Sequence, residues 1–81
     1  MHYVYILKCA NNKPYTGCTE DLKGRIERHK MGHVPATKNV LPVELNCYFA
    51  FNNKYTAFNF EKYLKSGSGR AFLKKHVLDN E

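Results

Sequence analysis

The chain is expected to fold as a small α+β domain, a three-stranded antiparallel sheet flanked by helices in the order β-β-α-β-α-α. Three observations carry that expectation. Three short runs, YVYILKC, PYTGCT and ELNCYFAF, are rich in β-branched and aromatic residues and read as strands. Three other segments space their apolar residues at helical intervals. At 81 residues the chain suits one domain, expected over residues 1–81. Three short strands cannot bury both sheet faces unaided, so helices must cover at least one.

The elements follow in order. Tyr3 to Cys9 forms the first strand, Asn11-Asn12-Lys13 supplies turn material, and Pro14 to Thr19 resumes as a second strand, giving an antiparallel hairpin. Thr19 is a suitable N-cap, with Glu20 and Asp21 placed where a helix dipole favours acids. A first helix is therefore expected from about Glu20 to Met31, burying Leu22, Ile26 and Met31 and stopping at Gly32. His33 to Pro42, with two prolines, reads as a loop. Glu44 to Phe51 is the third strand. A second helix runs from about Tyr55 to Lys65 with Ala57, Phe58, Phe60 and Leu64 on its buried side. Ser66-Gly67-Ser68-Gly69 breaks the pattern, and Arg70 to Leu78 forms a third helix around Phe72, Leu73 and Val77.

Composition narrows the function classes. A domain this small buries only roughly 60–65% of its unfolded surface, yet six Tyr, five Phe and clustered aliphatics suffice for one core. No apolar run approaches the roughly 20 residues that span a bilayer, so a membrane role is excluded and a soluble, cytoplasmic protein is expected. Cys9, Cys18 and Cys47 are odd in number and lack zinc spacing, so they read as small buried hydrophobes. Thirteen Lys and Arg against seven Asp and Glu give a net charge of +6, which favours polyanions and salt-sensitive contact with phosphate backbones.

Several residues carry chemistry. Tyr5 and Tyr15 lie on neighbouring strands, and a hairpin centred on Asn11 and Asn12 brings them to similar heights. Gly17, inside the second strand, marks a place where the backbone bends or something comes close. Arg25 and His29, four positions apart, share one helix face. Glu61 is the only acid between Glu44 and Asp79. It either pairs with a lysine or holds a divalent cation, since Mg²⁺ often takes one or two carboxylates and keeps its waters. In LKSGSGRAFLKK, glycines and serines open a basic helix beside Lys65, Arg70 and Lys74, which reads equally as a phosphate seat or an inter-helix turn. It is not a Walker motif, so no nucleotide cofactor is assigned.

The ordered set Tyr3-Val4-Tyr5, Tyr15-Thr16-Gly17, Arg25, His29 and Glu61 resembles the GIY-YIG nuclease superfamily. It is most similar to the small stand-alone bacterial members that are akin to the N-terminal nuclease module of the DNA-repair excinuclease. The resemblance implies a β-β-α-β-α-α fold and metal-dependent endonuclease cleavage of DNA, possible links being repair and recombination. By position, Tyr5 and Tyr15 correspond to the tyrosines of the two motifs. Arg25 corresponds to the arginine that stabilises the pentacovalent phosphorus, and His29 to the residue one turn on. Glu61 corresponds to the ligand of a single Mg²⁺ or Mn²⁺. Tyr15 is the preferred general base and Tyr5 the second choice, with His29 assisting. Lys13, Gly17, Lys65, Arg70 and Lys74 are expected to meet nucleic acid. Tyr3 and Thr16 depart mildly from the motifs. Leu73 to His76 occupies the span where many active members carry an asparagine, which leaves open a second reading: a nucleic-acid-binding protein that kept the fold and lost turnover.

Overall fold

The structure, a computed structural model, describes residues 1–78; residues 79–81 of the expected domain lie outside the described residues. Strands β1 (His2–Cys9), β2 (Pro14–Thr19) and β3 (Val43–Phe51) alternate with helices α1 (Leu22–Lys30), α2 (Lys54–Lys65) and α3 (Gly67–His76) in the expected order. The sheet is antiparallel throughout and ordered β2-β1-β3, so β1 is central and β2 is an edge strand.

Both sheet faces are covered. Strand residues alternate between faces. Val4 and Ile6 therefore pack against Ala57, Leu64 and Leu73 under α2 and α3. Tyr5, Leu7 and Cys9 pack against Ile26 and Val43 beside α1. This explains why Val4-Tyr5-Ile6-Leu7 is buried without interruption. Each fully buried aliphatic side chain of this kind contributes about 1.5–3 kcal/mol. The three cysteines are free, with Cys9 buried and Cys18 and Cys47 half-buried.

Several boundaries differ from the sequence reading, each for a local reason. Thr19 is not the N-cap of α1. It closes β2, and Asp21 caps the helix by accepting from the Gly24 amide at 3.1 Å. Glu20 and Asp21 thus precede the first turn instead of occupying it. Met31 is 65% exposed and Phe58 51% exposed, so neither belongs to the core. α3 begins at Gly67, not Arg70, because Ser66 caps it by accepting from the Gly69 amide. Gly69 is obligatory there: a Cβ would run into the backbone of Tyr63 and Leu64, where α3 crosses the end of α2. The Ser-Gly-Ser-Gly stretch is therefore a capped helix start with one amide already committed, and α3 ends at His76, short of Leu78.

Candidate active site

Of the residues singled out by chemistry, Tyr5, Tyr15, Gly17 and His29 lie together beside the β1–β2 hairpin. Tyr5 stands opposite Gly17, and Tyr15 stands opposite Leu7, so the two tyrosines share a face but are offset by two residues along the strands. Their ring centroids are 6.4 Å apart. The close approach that Gly17 permits is made by Tyr5: a Cβ at Gly17 would overlap the phenol ring and its oxygen.

His29 projects from α1 into the space between these rings. It is fully buried, with its centroid 5.6 Å from Tyr5 and 5.3 Å from Tyr15. Its Nε2 shares a 2.9 Å hydrogen bond with the Tyr5 hydroxyl, and its Nδ1 shares one of 2.7 Å with the Thr37 hydroxyl. A neutral imidazole has one donor and one acceptor nitrogen, so two hydroxyls satisfy it completely. Burial holds the His29 pKa below the ordinary histidine value, and Arg25 and Arg28 push the same way. The ring is neutral at pH 7 and does not reach solvent.

Burial also pushes the Tyr5 pKa up to about 12, with the neighbouring Tyr15 adding to it, while Arg25 pulls it back only in part. Tyr5 is fully buried against His29 and forms a wall of the site. Tyr15, partly exposed, keeps access to a substrate.

Arg25 lies on α1 and borders a cleft with Cys18 and Thr19 of β2, while Glu61 lies on α2. Both act on the Cys18 thiol, whose pKa is raised by burial first and by Glu61 second. Glu61 also bears on Tyr5, which places it in the same electrostatic cluster. Its side chain is 14% exposed and accepts a 3.2 Å hydrogen bond from Lys65 Nζ one turn on.

Two open clefts flank this point. One, of about 400 Å³, is bordered by Arg25, Cys18, Thr19, Lys54 and Phe58. The other, of about 270 Å³, is bordered by Tyr15, Thr16, Lys65, Arg70 and Leu73. Lys13 lies apart, at a third hollow with Leu7, Asn46 and Leu78. Lys74 is exposed on α3 and borders neither of the two clefts described.

Among the described residues, no group of three or more His, Cys, Asp and Glu side chains gathers as a metal cage. A single carboxylate oxygen donor fits a hydrated Mg²⁺ or Mn²⁺ that completes its shell with water and substrate phosphate. Glu61, largely buried and bonded to Lys65, offers such a carboxylate.

The GIY-YIG catalytic domain model matches residues 1–75. The chain belongs to the GIY-YIG family. It is 38% identical over 80 residues to a UPF0213 protein of Pediococcus pentosaceus, an alignment covering 94% of this chain and 84% of that one. A UPF0213 protein of Clostridium perfringens is 42% identical over 66 residues, covering 80% and 71%. The solution NMR structure of a UPF0213 protein from Bacillus halodurans aligns with a TM-score of 0.58 at 35% identity, over 91% of this chain and 82% of that one. Its relatives are small GIY-YIG proteins, and a GIY-YIG domain is in general a nuclease module, acting on nucleic acid with a divalent metal ion. Among the described residues no helix is long and apolar enough to cross a membrane.

Set against that family, the sequence reading missed Thr37. The residue sits in the loop after α1, where Thr37 N donates to Val34 O and Val40 N donates to Thr37 O. It is 1% exposed. Nothing in a proline-containing polar loop singles out one threonine, so only the fold reveals its contact with His29.

Proposed function

We propose that this GIY-YIG domain is a divalent-metal-dependent endonuclease that hydrolyses DNA phosphodiester bonds, on branched or interrupted DNA of the kind that repair and recombination produce. What supports the reading is that Arg25 and Tyr15 border two clefts along β2, with Glu61 bearing electrostatically on Tyr5 and Cys18, backed by the buried Tyr5–His29–Thr37 chain. β2 is an edge strand, so one side of it is free of a neighbouring strand where a substrate can approach.

Each side chain then has a role. Arg25 donates hydrogen bonds to the nonbridging oxygens, where negative charge grows as water adds to phosphorus; its planar fork does this better than a lysine. Tyr15, the more exposed of the two tyrosines, takes the proton of the attacking water as a phenolate that has first given its own proton to solvent. Tyr5 forms the buried floor of the site, its hydroxyl held by His29, which Thr37 holds in turn. Glu61 would hold Mg²⁺ or Mn²⁺, which when bound supplies charge neutralisation at the phosphate and its leaving oxygen. Lys65 and Arg70, beside Tyr15, meet the flanking phosphates.

The test is cleavage of a panel of labelled flaps, nicks, junctions and single strands with Mg²⁺ or Mn²⁺. Wild type is compared with Arg25→Ala, Glu61→Gln and Tyr15→Phe. Cleavage by the wild type that is lost in the first two variants supports the proposal. Cleavage that survives both defeats it.

One observation favours a second reading. Leu73, in the span where many active members carry an asparagine, is 2% exposed and belongs to the core beneath α3. A leucine offers no polar group from that position, so a domain that binds nucleic acid without turnover is the alternative. Salt-sensitive DNA binding with no cleavage on any substrate would establish it.

A further inference from the structure

Along α2, Lys54, Phe58, Glu61 and Lys65 recur at intervals of three and four and share one helix face. Lys54 and Phe58 border the cleft that also contains Arg25, and Lys65 borders the cleft that contains Tyr15. Glu61 lies between. Phe58 is one turn from Glu61, about 4.5 Å along the helix axis at 1.5 Å per residue.

Scattered apolar side chains on a protein surface need no explanation. Phe58 is different in its setting. Half its surface is open, and it shares a cleft with the arginine assigned to the phosphate. Lys62 Nζ stands 5.6 Å from the ring centroid. Tyr55, three positions earlier, is 72% exposed and extends the aromatic surface. Of the acids at the cleft mouth, Asp21 is committed to capping α1 and Glu20 lies 3.9 Å from His2 Nδ1. The cations Lys54, Lys62 and Arg25 outnumber them, so the surroundings of the ring suit a polyanion more than an apolar protein surface.

We infer that Phe58 is a stacking platform for an unpaired nucleobase next to the scissile phosphate, so that the domain selects single-stranded or frayed DNA over intact duplex. The inference rests on the nuclease reading above and deepens it. A base in a continuous duplex is stacked on both faces and has none to give the ring. A base beside a flap, gap or free end can turn onto Phe58 while its phosphate stays between Arg25 and Glu61. Stacking is tolerant of base identity, so the preference is for DNA structure, not for sequence.

The chain has no tryptophan, which makes the test direct. Phe58→Trp introduces a single emitter at the platform. It is titrated in EDTA, where no metal-dependent cleavage occurs, with an unlabelled single-stranded oligonucleotide and with a blunt duplex of equal length. Anisotropy of labelled strands establishes saturation. Saturable quenching by the single strand, and little by the duplex, is the expected result. Phe58→Ala is expected to weaken single-strand binding by about 5- to 150-fold, the range for loss of one stacked base, and to leave duplex binding unchanged. Circular dichroism confirms that both variants are folded. Unmoved tryptophan emission at saturating single strand overturns the inference, as does an equal loss of affinity for both DNA forms. So does a concentration-dependent dimer that Phe58→Ala abolishes, which would make the ring an interface between copies. The nuclease reading is tested apart by Arg25→Ala in the cleavage assay, so failure at Phe58 with cleavage intact sinks only the platform. Absence of all nucleic-acid binding sinks both.

Discussion

Replacing Gly17 with alanine sets two effects of opposite sign against each other. In an uncrowded strand the change would stabilise the protein by about 0.4–1 kcal/mol, because alanine has less unfolded-state freedom to lose. At Gly17 the new methyl overlaps the ring and oxygen of Tyr5, a side chain with no solvent to retreat into. Overpacking of this kind costs about 1–3 kcal/mol. Displacing the ring also breaks the 2.9 Å Tyr5–His29 hydrogen bond and leaves a buried polar group unpaired, a further loss of about 1–3 kcal/mol. The crowding terms win, for a net loss of about 1–5 kcal/mol. Folded stability for 81 residues is about 4–12 kcal/mol. The melting temperature should therefore fall by at least about 4 °C, measured by circular dichroism and checked by urea titration. Tyr5→Phe removes the hydroxyl nearest the added methyl. The two substitutions together should thus cost less than their sum, by about 0.5 kcal/mol or more. If Gly17→Ala is as stable as the wild type or more so, Tyr5 does not fill that space and the account of the site's floor is wrong.

The remaining predictions concern the buried chain and the charged rim. Because His29 binds its proton less readily folded than unfolded, its contribution is fully present above about pH 6.5 and is lost as pH falls below that value. The slope reaches at most about 1.36 kcal/mol per pH unit, and His29→Gln should remove it; an unchanged slope between pH 5 and 7 in urea melts would count against this. Thr37→Val keeps the shape but strips the hydroxyl from His29 Nδ1, and should lower stability by about 1–3 kcal/mol. Cleavage should fall with it and recover in Thr37→Ser; wild-type rates in the valine variant would show that the imidazole needs no second partner. Lys65→Glu and Arg70→Glu should each weaken DNA binding and reduce the salt slope of log K by about 1 per phosphate contact removed. A slope unchanged in both would place the backbone path elsewhere.

The fold was legible because its elements are locally consistent. Val4-Tyr5-Ile6-Leu7 is a continuous apolar run, the mark of a strand buried on both faces, and it is the central strand. The errors lie where two neighbouring residues compete for the same local task. Thr19 and Asp21 both have capping side chains, and the choice falls to Asp21 because Thr19 is still paired with Tyr3 in the sheet. The Ser66–Gly69 stretch has the composition of a break, yet it starts a helix because α3 must cross α2 closely and only glycine fits that crossing.

The site was legible in its residue types but not in its depth. Spacing alone puts Arg25 and His29 on one helix face. It does not tell that one turn of helix carries the first to the open edge of β2 and the second beneath the sheet, fully buried. That difference decides their chemistry. A buried, neutral imidazole held by two hydroxyls orients Tyr5, whereas the arginine borders an open cleft. The same division sorts the tyrosines: opposite Gly17 the ring sinks into the floor, and two residues along the strand it stays within reach of solvent. Gly17 is therefore the point on which the arrangement turns, since any side chain there would collide with the Tyr5 ring and lift it from His29.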